Sequence, residues 1–152
     1  MLNIDKIMVA FDLSDYSVKA FKYGCELAEE MNADLIIANV INQRDVNAVE
    51  LTQQVSERIS VENYIEEQKQ YRTTEIEEMM AAKYCNIPSV SKIFKIGVPS
   101  QELLKIINQE NPAILVMGTK GRGNIAGVLF GSTAEKMFRH CPVPLLSIRD
   151  NQ

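Results

Sequence analysis

Hydrophobic residues fall into five short runs along the chain, and the stretches between them are mostly helical in period. Lys6 to Asp12 reads Lys-Ile-Met-Val-Ala-Phe-Asp, apolar on both alternating faces, as in a parallel strand covered on each side. Leu35 to Ile41 repeats that pattern, broken only by Asn39. Between them, apolar positions at Ala20, Tyr23, Leu27, Ala28 and Met31 predict a helix with one buried face, and Asn32 suits its C-terminal end. Asn42 to Ser60 is polar and poorly patterned, which predicts a mobile loop or a short helix. Val61 to Tyr84 then places apolar residues at Val61, Tyr64, Ile65, Tyr71, Ile76, Met79 and Met80, the pattern of a long amphipathic helix.

The second half continues the alternation. Pro88 to Ile96 alternates apolar and polar residues, which predicts a half-exposed strand ended by Gly97. Pro99 fits the first turn of a helix whose buried face is Leu103, Leu104, Ile106 and Ile107, closed by Asn111-Pro112. Ala113 to Met117 forms a fourth strand, Ser132 to His140 a last helix and Val143 to Ile148 a fifth strand. Five strands alternating with four helices, with no linker or repeat, predict one doubly wound α/β domain over residues 1–152.

Composition narrows the functional classes. At 152 residues the chain can bury a core without staples. A net charge of −4 argues against a broad nucleic-acid surface, since such binding rests on phosphate neutralisation. Cys25, Cys85 and Cys141 cannot all pair within one chain and form no zinc-type cluster, so a reducing cytoplasm is expected. No signal-like start and no run near the roughly 20 apolar residues of a membrane span are present.

The candidate chemistry lies behind the fourth strand, in Gly118-Thr-Lys-Gly121-Arg-Gly-Asn-Ile-Ala-Gly-Val-Leu-Phe-Gly131-Ser132-Thr133. Glycines admit an anion close to backbone N–H groups, and a helix opening at Ser132 aims its positive end at the same place. This predicts a phosphate cradle. The spacing matches neither a P-loop nor a dinucleotide fingerprint. In an open parallel sheet, ligands bind beyond the strand ends where strand order reverses. Asp12, Val40 and the Gly-rich loop all stand at such ends.

Several of these residues also admit plain structural roles. Asp12 can begin a turn or help cap the first helix. Ser132-Thr-Ala-Glu135 fits a capping box, so a helix N–H and a phosphate compete for the Ser132 hydroxyl. Lys120 and Arg122 can offset phosphate charge or remain solvated. His140 sits at a helix end, where the dipole favours a cation, and Cys141 before Pro142 reads as a half-buried packing residue.

The loop spacing resembles that of the universal stress protein family, in its nucleotide-binding branch. The likeness extends to Ile-Met-Val-Ala-Phe-Asp12-Leu-Ser, to Ala-Asn-Val40-Ile and to the closing Cys-Pro-Val-Pro-Leu-Leu-Ser-Ile, nearly the whole chain. It implies an adenine-nucleotide alpha-hydrolase-like fold of strand order 3-2-1-4-5, and ATP, ADP or AMP, with or without Mg²⁺, at the switch point. Carried over, the Val40 backbone would pair with adenine, and Ala10 and Asp12 would line the base and ribose. Gly118 and Gly121 would approach the ribose and phosphates, with Ser132 and Thr133 holding the phosphates. Met117, Thr119, Lys120, Arg122, Gly123, Asn124 and Gly131 complete the expected site. Phe11 belongs to the expected site by position, although by strand alternation its side chain should point away and pack under a helix.

No Ser/His/Asp set can be assembled around His140, and neither a His-x-Gly-His motif nor a Ser-Gly-Gly-x-Asp-Ser loop occurs. A receiver domain would want an Asp after strand three, where Ile96-Gly97 stands instead. The expected function is therefore an ATP-binding regulator, non-enzymatic or at most slowly hydrolysing. The alternatives are a nucleotide-free interaction module and a weak ATPase in which Asp12 helps hold Mg²⁺. The implied strand order also puts Val143 to Ile148 at a sheet edge, where it should pair with a second copy into a homodimer.

Overall fold

A computed structural model describes residues 2–81, 83, 86–120, 127 and 130–149. The element order is β1 (Lys6–Ala10), α1 (Asp15–Met31), β2 (Asp34–Asn42), α2 (Gln43–Gln53), α3 (Val61–Ala81), β3 (Val90–Gly97), α4 (Pro99–Glu110), β4 (Ile114–Gly118), α5 (Ser132–His140) and β5 (Leu145–Ile148). All strand pairs are parallel, in the order β3-β2-β1-β4-β5. The expected doubly wound sheet is therefore present. Its order reverses between β1 and β4, so the crevice that binds ligands in such sheets opens there.

Strand alternation sorts the central strands onto two apolar layers. Ile7, Val9 and Phe11 join Leu35, Ile37 and Val116 beneath α1 and α3. Met8 and Ala10 join Ile36, Ala38, Leu115 and Met117 beneath α4 and α5. Burial on both faces accounts for the unbroken apolar runs of β1, β2 and β4. The edge strand β3 is more open, with Val90 exposed and Ile93 and Phe94 half-buried, as its alternating sequence predicts.

Two helices present a different face from the one the large apolar residues suggest. The buried stripe of α1 is Ser17, Ala20, Phe21, Gly24, Cys25 and Ala28, whereas Tyr23 and Met31 are exposed. Small residues set this face because α1 approaches β1 closely: a Cβ on Gly24 would fall 2.2 Å from a methyl of Val9. On α3 the buried residues are Arg72 and Ile76, and Tyr71 is exposed. The stripe facing the sheet runs through 65, 68, 72, 76 and 79 and carries a charged residue at its centre, which an apolar template passes over.

The segment 42–60 resolves in favour of a helix, making five helices rather than four among the described residues. Asn42 caps α2 by accepting from the Arg44 N–H at 3.0 Å, and Val46 is its one buried residue. Asn32 and Asn111 end α1 and α4 in the left-handed conformation, φ 51° and 49°.

Candidate functional site

The carboxyl ends of β1, β2 and β4 and the start of α5 surround a cavity of about 710 Å³. That volume lies within the roughly 300–1,000 Å³ of small-molecule sites. Ala10, Ala38, Val40, Met117 and Leu103 give it an apolar slot, while Asp12, Gly131, Ser132 and Thr133 give it a polar end.

Local sequence builds the wall that follows β1. The Phe11 N–H donates to Ala38 O at 2.9 Å, extending the ladder one residue beyond β1. Asp12 Oδ1 then accepts from the Ser14 N–H at 3.0 Å, and Ser14 Oγ caps α1 by accepting from the Ser17 N–H at 3.2 Å. The turn expected at Asp12 is thus real, and Asp12 still lines the cavity. Leu13 between them takes φ 68°, a left-handed conformation that costs a non-glycine residue on the order of 1 kcal/mol. As expected, the Phe11 ring turns away and meets Phe21 of α1, centroids 5.0 Å apart.

At the other end, the N-cap of α5 is Gly131, and no side chain caps it. This corrects the capping-box reading: Ser132 is the first helical residue, too far along to serve as cap. Intrahelical bonding begins with the Glu135 N–H on Gly131 O at 3.0 Å, so the preceding amides lack helical acceptors. Gly131 N–H is anchored on Thr119 O at 2.8 Å, and the Thr119 N–H on Ile148 O at 3.2 Å. Thr119 is buried and does not line the cavity, so its part is to hold the loop base rather than a ligand.

Gly118 has a role that loop chemistry does not predict. A Cβ there would stand 2.9 Å from the Tyr16 carbonyl oxygen, so the close approach is made by the start of α1. Lys120 lines the cavity with its ammonium 5.8 Å from the Tyr16 ring centroid. Gly121, Arg122, Gly123 and Asn124 lie outside the described residues.

The structure adds residues that the sequence reading missed. Arg72 of α3 reaches the cavity with only 2% of its surface exposed, donating from Nη1 to Asn39 Oδ1 at 2.7 Å and to Val40 O at 3.4 Å. Asn39 in turn donates from Nδ2 to Phe11 O at 2.6 Å. Arg44 and Asp45, 3.5 Å apart at the start of α2, stand at the mouth. Asn39 interrupting an apolar strand is the one available signal; Arg72 lies among the many charged residues of α3.

The cysteines described here do not supply a nucleophile. Burial pushes the Cys25 thiol up to about 12, with Glu29 and Glu26 adding to the effect, so it stays a neutral core group. Cys141 is half-buried, its Sγ 3.3 Å from Val143 O, in keeping with a packing role. Among the described residues no group of three or more His, Cys, Asp or Glu side chains is placed to hold a metal ion.

A switch-point crevice bounded by strand ends on one side and an uncapped helix start on the other is where doubly wound α/β domains bind ligands. A sequence profile of the universal stress protein family matches residues 3–149, and the chain belongs to that family. It is 28% identical over 141 residues to universal stress protein MJ0531 of Methanocaldococcus jannaschii, covering 91% of this chain and 79% of that protein. Universal stress protein YxiE of Bacillus subtilis is 26% identical over 149 residues, 95% and 99% of the two chains. Among solved structures, protein MJ0577 of M. jannaschii superposes with a TM-score of 0.79 at 22% identity over 99% of both chains. A universal stress protein crystallised in complex with cAMP superposes with a TM-score of 0.66 at 21% identity, covering 98% and 99%.

Proposed function

We propose that this protein binds an adenine nucleotide, ATP or its di- or monophosphate, as a regulatory ligand. The observation that carries the reading is the meeting in one cavity of an apolar slot at the ends of β1 and β2 with the uncapped start of α5. A purine needs a flat apolar slot with a strand edge to read it, and phosphates need N–H donors and hydroxyls. Val40 supplies the backbone edge, Ala10 and Ala38 the slot, Asp12 the ribose side, and Ser132 and Thr133 the phosphate donors, beside Gly131, whose own N–H is held by Thr119 O. With no capping duty, the Ser132 hydroxyl is available to an anion. The cAMP-bound relative is consistent with an adenine ligand in this fold. Chromatography of nucleotide released from the natively purified protein, followed by calorimetric titration with ATP, tests the reading. Co-purified adenine nucleotide or a saturable heat is expected; neither, for ATP, ADP or AMP, contradicts it.

The same reading includes a homodimer through β5. That strand ends the sheet order, Leu146 is 40% exposed on it, and Phe138 and Phe130 form an exposed edge-to-face pair on adjoining α5 and its approach. An exposed apolar edge is an open template that pairing with its own copy would close.

A further inference from the structure

The two walls of the base slot, beyond β1 and along β2, are joined by the Asn39 side chain of β2, which Arg72 of α3 holds in place. Arg72 Nη1 donates to Asn39 Oδ1 at 2.7 Å and to the Val40 carbonyl at 3.4 Å. Asn39 Nδ2 carries the link on to the Phe11 carbonyl at 2.6 Å, one residue before Asp12. The guanidinium is itself oriented by Gln68, whose Oε1 accepts from Nε at 3.4 Å and from Nη2 at 3.3 Å. These groups lie 33 residues apart in sequence and are buried together.

From this geometry we infer that Arg72 is a positioning residue that sets base specificity. The inference rests on the nucleotide reading above and names what discriminates within it. A carbonyl oxygen has two acceptor directions. Arg72 engages the Val40 oxygen from the α3 side and so holds that peptide with its acceptor toward the slot. An acceptor fixed there suits the exocyclic amine of a 6-aminopurine. It sets oxygen against oxygen for a 6-oxopurine, a mismatch whose cost depends on the peptide being unable to turn. The ladder to β3 runs past the Val40–Lys95 pair to Asn42–Gly97 and holds the strand with or without Arg72, so what Arg72 governs is the tilt of this one carbonyl. Freed of it, the oxygen can swing from the slot and admit either base.

The test uses the full chain and three probes: ATP, ITP and inorganic tripolyphosphate. Arg72→Met keeps most of the buried volume and removes every donor, at the cost of leaving Asn39 Oδ1 without this partner. In the wild type, ATP is expected to bind more tightly than ITP by on the order of tenfold or more, the worth of one good hydrogen bond against a mismatch. In R72M that ratio should fall toward one while tripolyphosphate affinity is unchanged. Arg72→Lys, whose single ammonium cannot span Asn39 and Val40 together in the fork geometry, serves if R72M does not fold, and its ratio should fall as well. A merely structural role would lower the melting temperature and leave the ATP/ITP ratio of the folded variant as in the wild type, and that result overturns the inference. So does a wild type that prefers ITP, which would make Arg72 a direct donor to the base oxygen. A wild type that binds ATP with an unchanged ratio in both variants removes this inference alone; one that binds no adenine nucleotide removes the proposed function and this inference with it.

Discussion

At the base end of the cavity, the polar groups are tied to one another: Arg72 to Asn39 and Val40, and Asn39 to Phe11. At the phosphate end they are left open. The first amides of α5 have no capping side chain, and Ser132 is exposed. Under the proposed nucleotide reading, the difference suits what each end would recognise. A base is read by the direction of a few hydrogen bonds, so its wall must not turn, and buried, fully bonded groups give that rigidity. Phosphates are held by charge and many donors, so the donors must be unspent when the anion arrives.

Substitutions that strike one end and spare the other sharpen this contrast. The largest effect is expected at the base end. Asn39→Ala takes an acceptor from Arg72 and the donor from the Phe11 carbonyl, in a residue only 1% exposed. It should destabilise the fold by about 3 kcal/mol, measured by denaturant unfolding. A loss below about 0.5 kcal/mol would mean that the buried link is not rigid.

Gly118→Ala comes next and blurs the two ends. Its Cβ would meet the Tyr16 carbonyl oxygen and carbon at 2.9 and 3.1 Å, so stability should fall by about 1–3 kcal/mol even without ligand. A variant as stable as the wild type that fails to bind ATP would instead assign Gly118 to ligand contact alone.

Ser132→Ala isolates the phosphate end. Because Gly131 occupies the cap position, the change in stability should stay within about 0.5 kcal/mol. Calorimetry should show ATP and ADP weakened and adenosine unaffected. A drop in melting temperature of the size that a lost cap gives, about 1 kcal/mol, would restore the capping role.

Leu146→Lys should move neither end. It places a charge in the middle of β5, where Leu146 is 40% exposed, and should convert a dimer to monomers in sedimentation with ATP affinity preserved. A wild type that sediments as a monomer at tens of micromolar would remove the dimer from the account.

The same contrast explains what the sequence disclosed. Strand runs buried on both faces and the asparagines ending α1 and α4 are local signals, and the sheet was legible from them, whereas most of the glycine spacing after Met117 lies outside the described residues. The base end is assembled from partners far apart in the chain. Asn39 stood out only as an interruption of β2, and nothing local pairs it with Arg72, which sits among the charges of α3. The face of α4 was legible and those of α1 and α3 only in part: Ala20, Ala28 and Ile76 are buried as expected, but α1 also packs through Gly24 and Ser17, because closeness as well as hydrophobicity decides its contact with β1. Ser132 was ambiguous in sequence because a cap and an anion site use the same residue types, and only the position of Gly131 separates them.

The most direct test of the central claim is a titration of the isotopically labelled protein with ATP, followed residue by residue through the backbone amide resonances. The account predicts that shifts concentrate at Asp12, Val40 and Gly131 to Ala134, with adenosine moving the first two and tripolyphosphate the last group. Shifts that leave both sets unmoved, or that gather on α2 and the start of α3 instead, would contradict it.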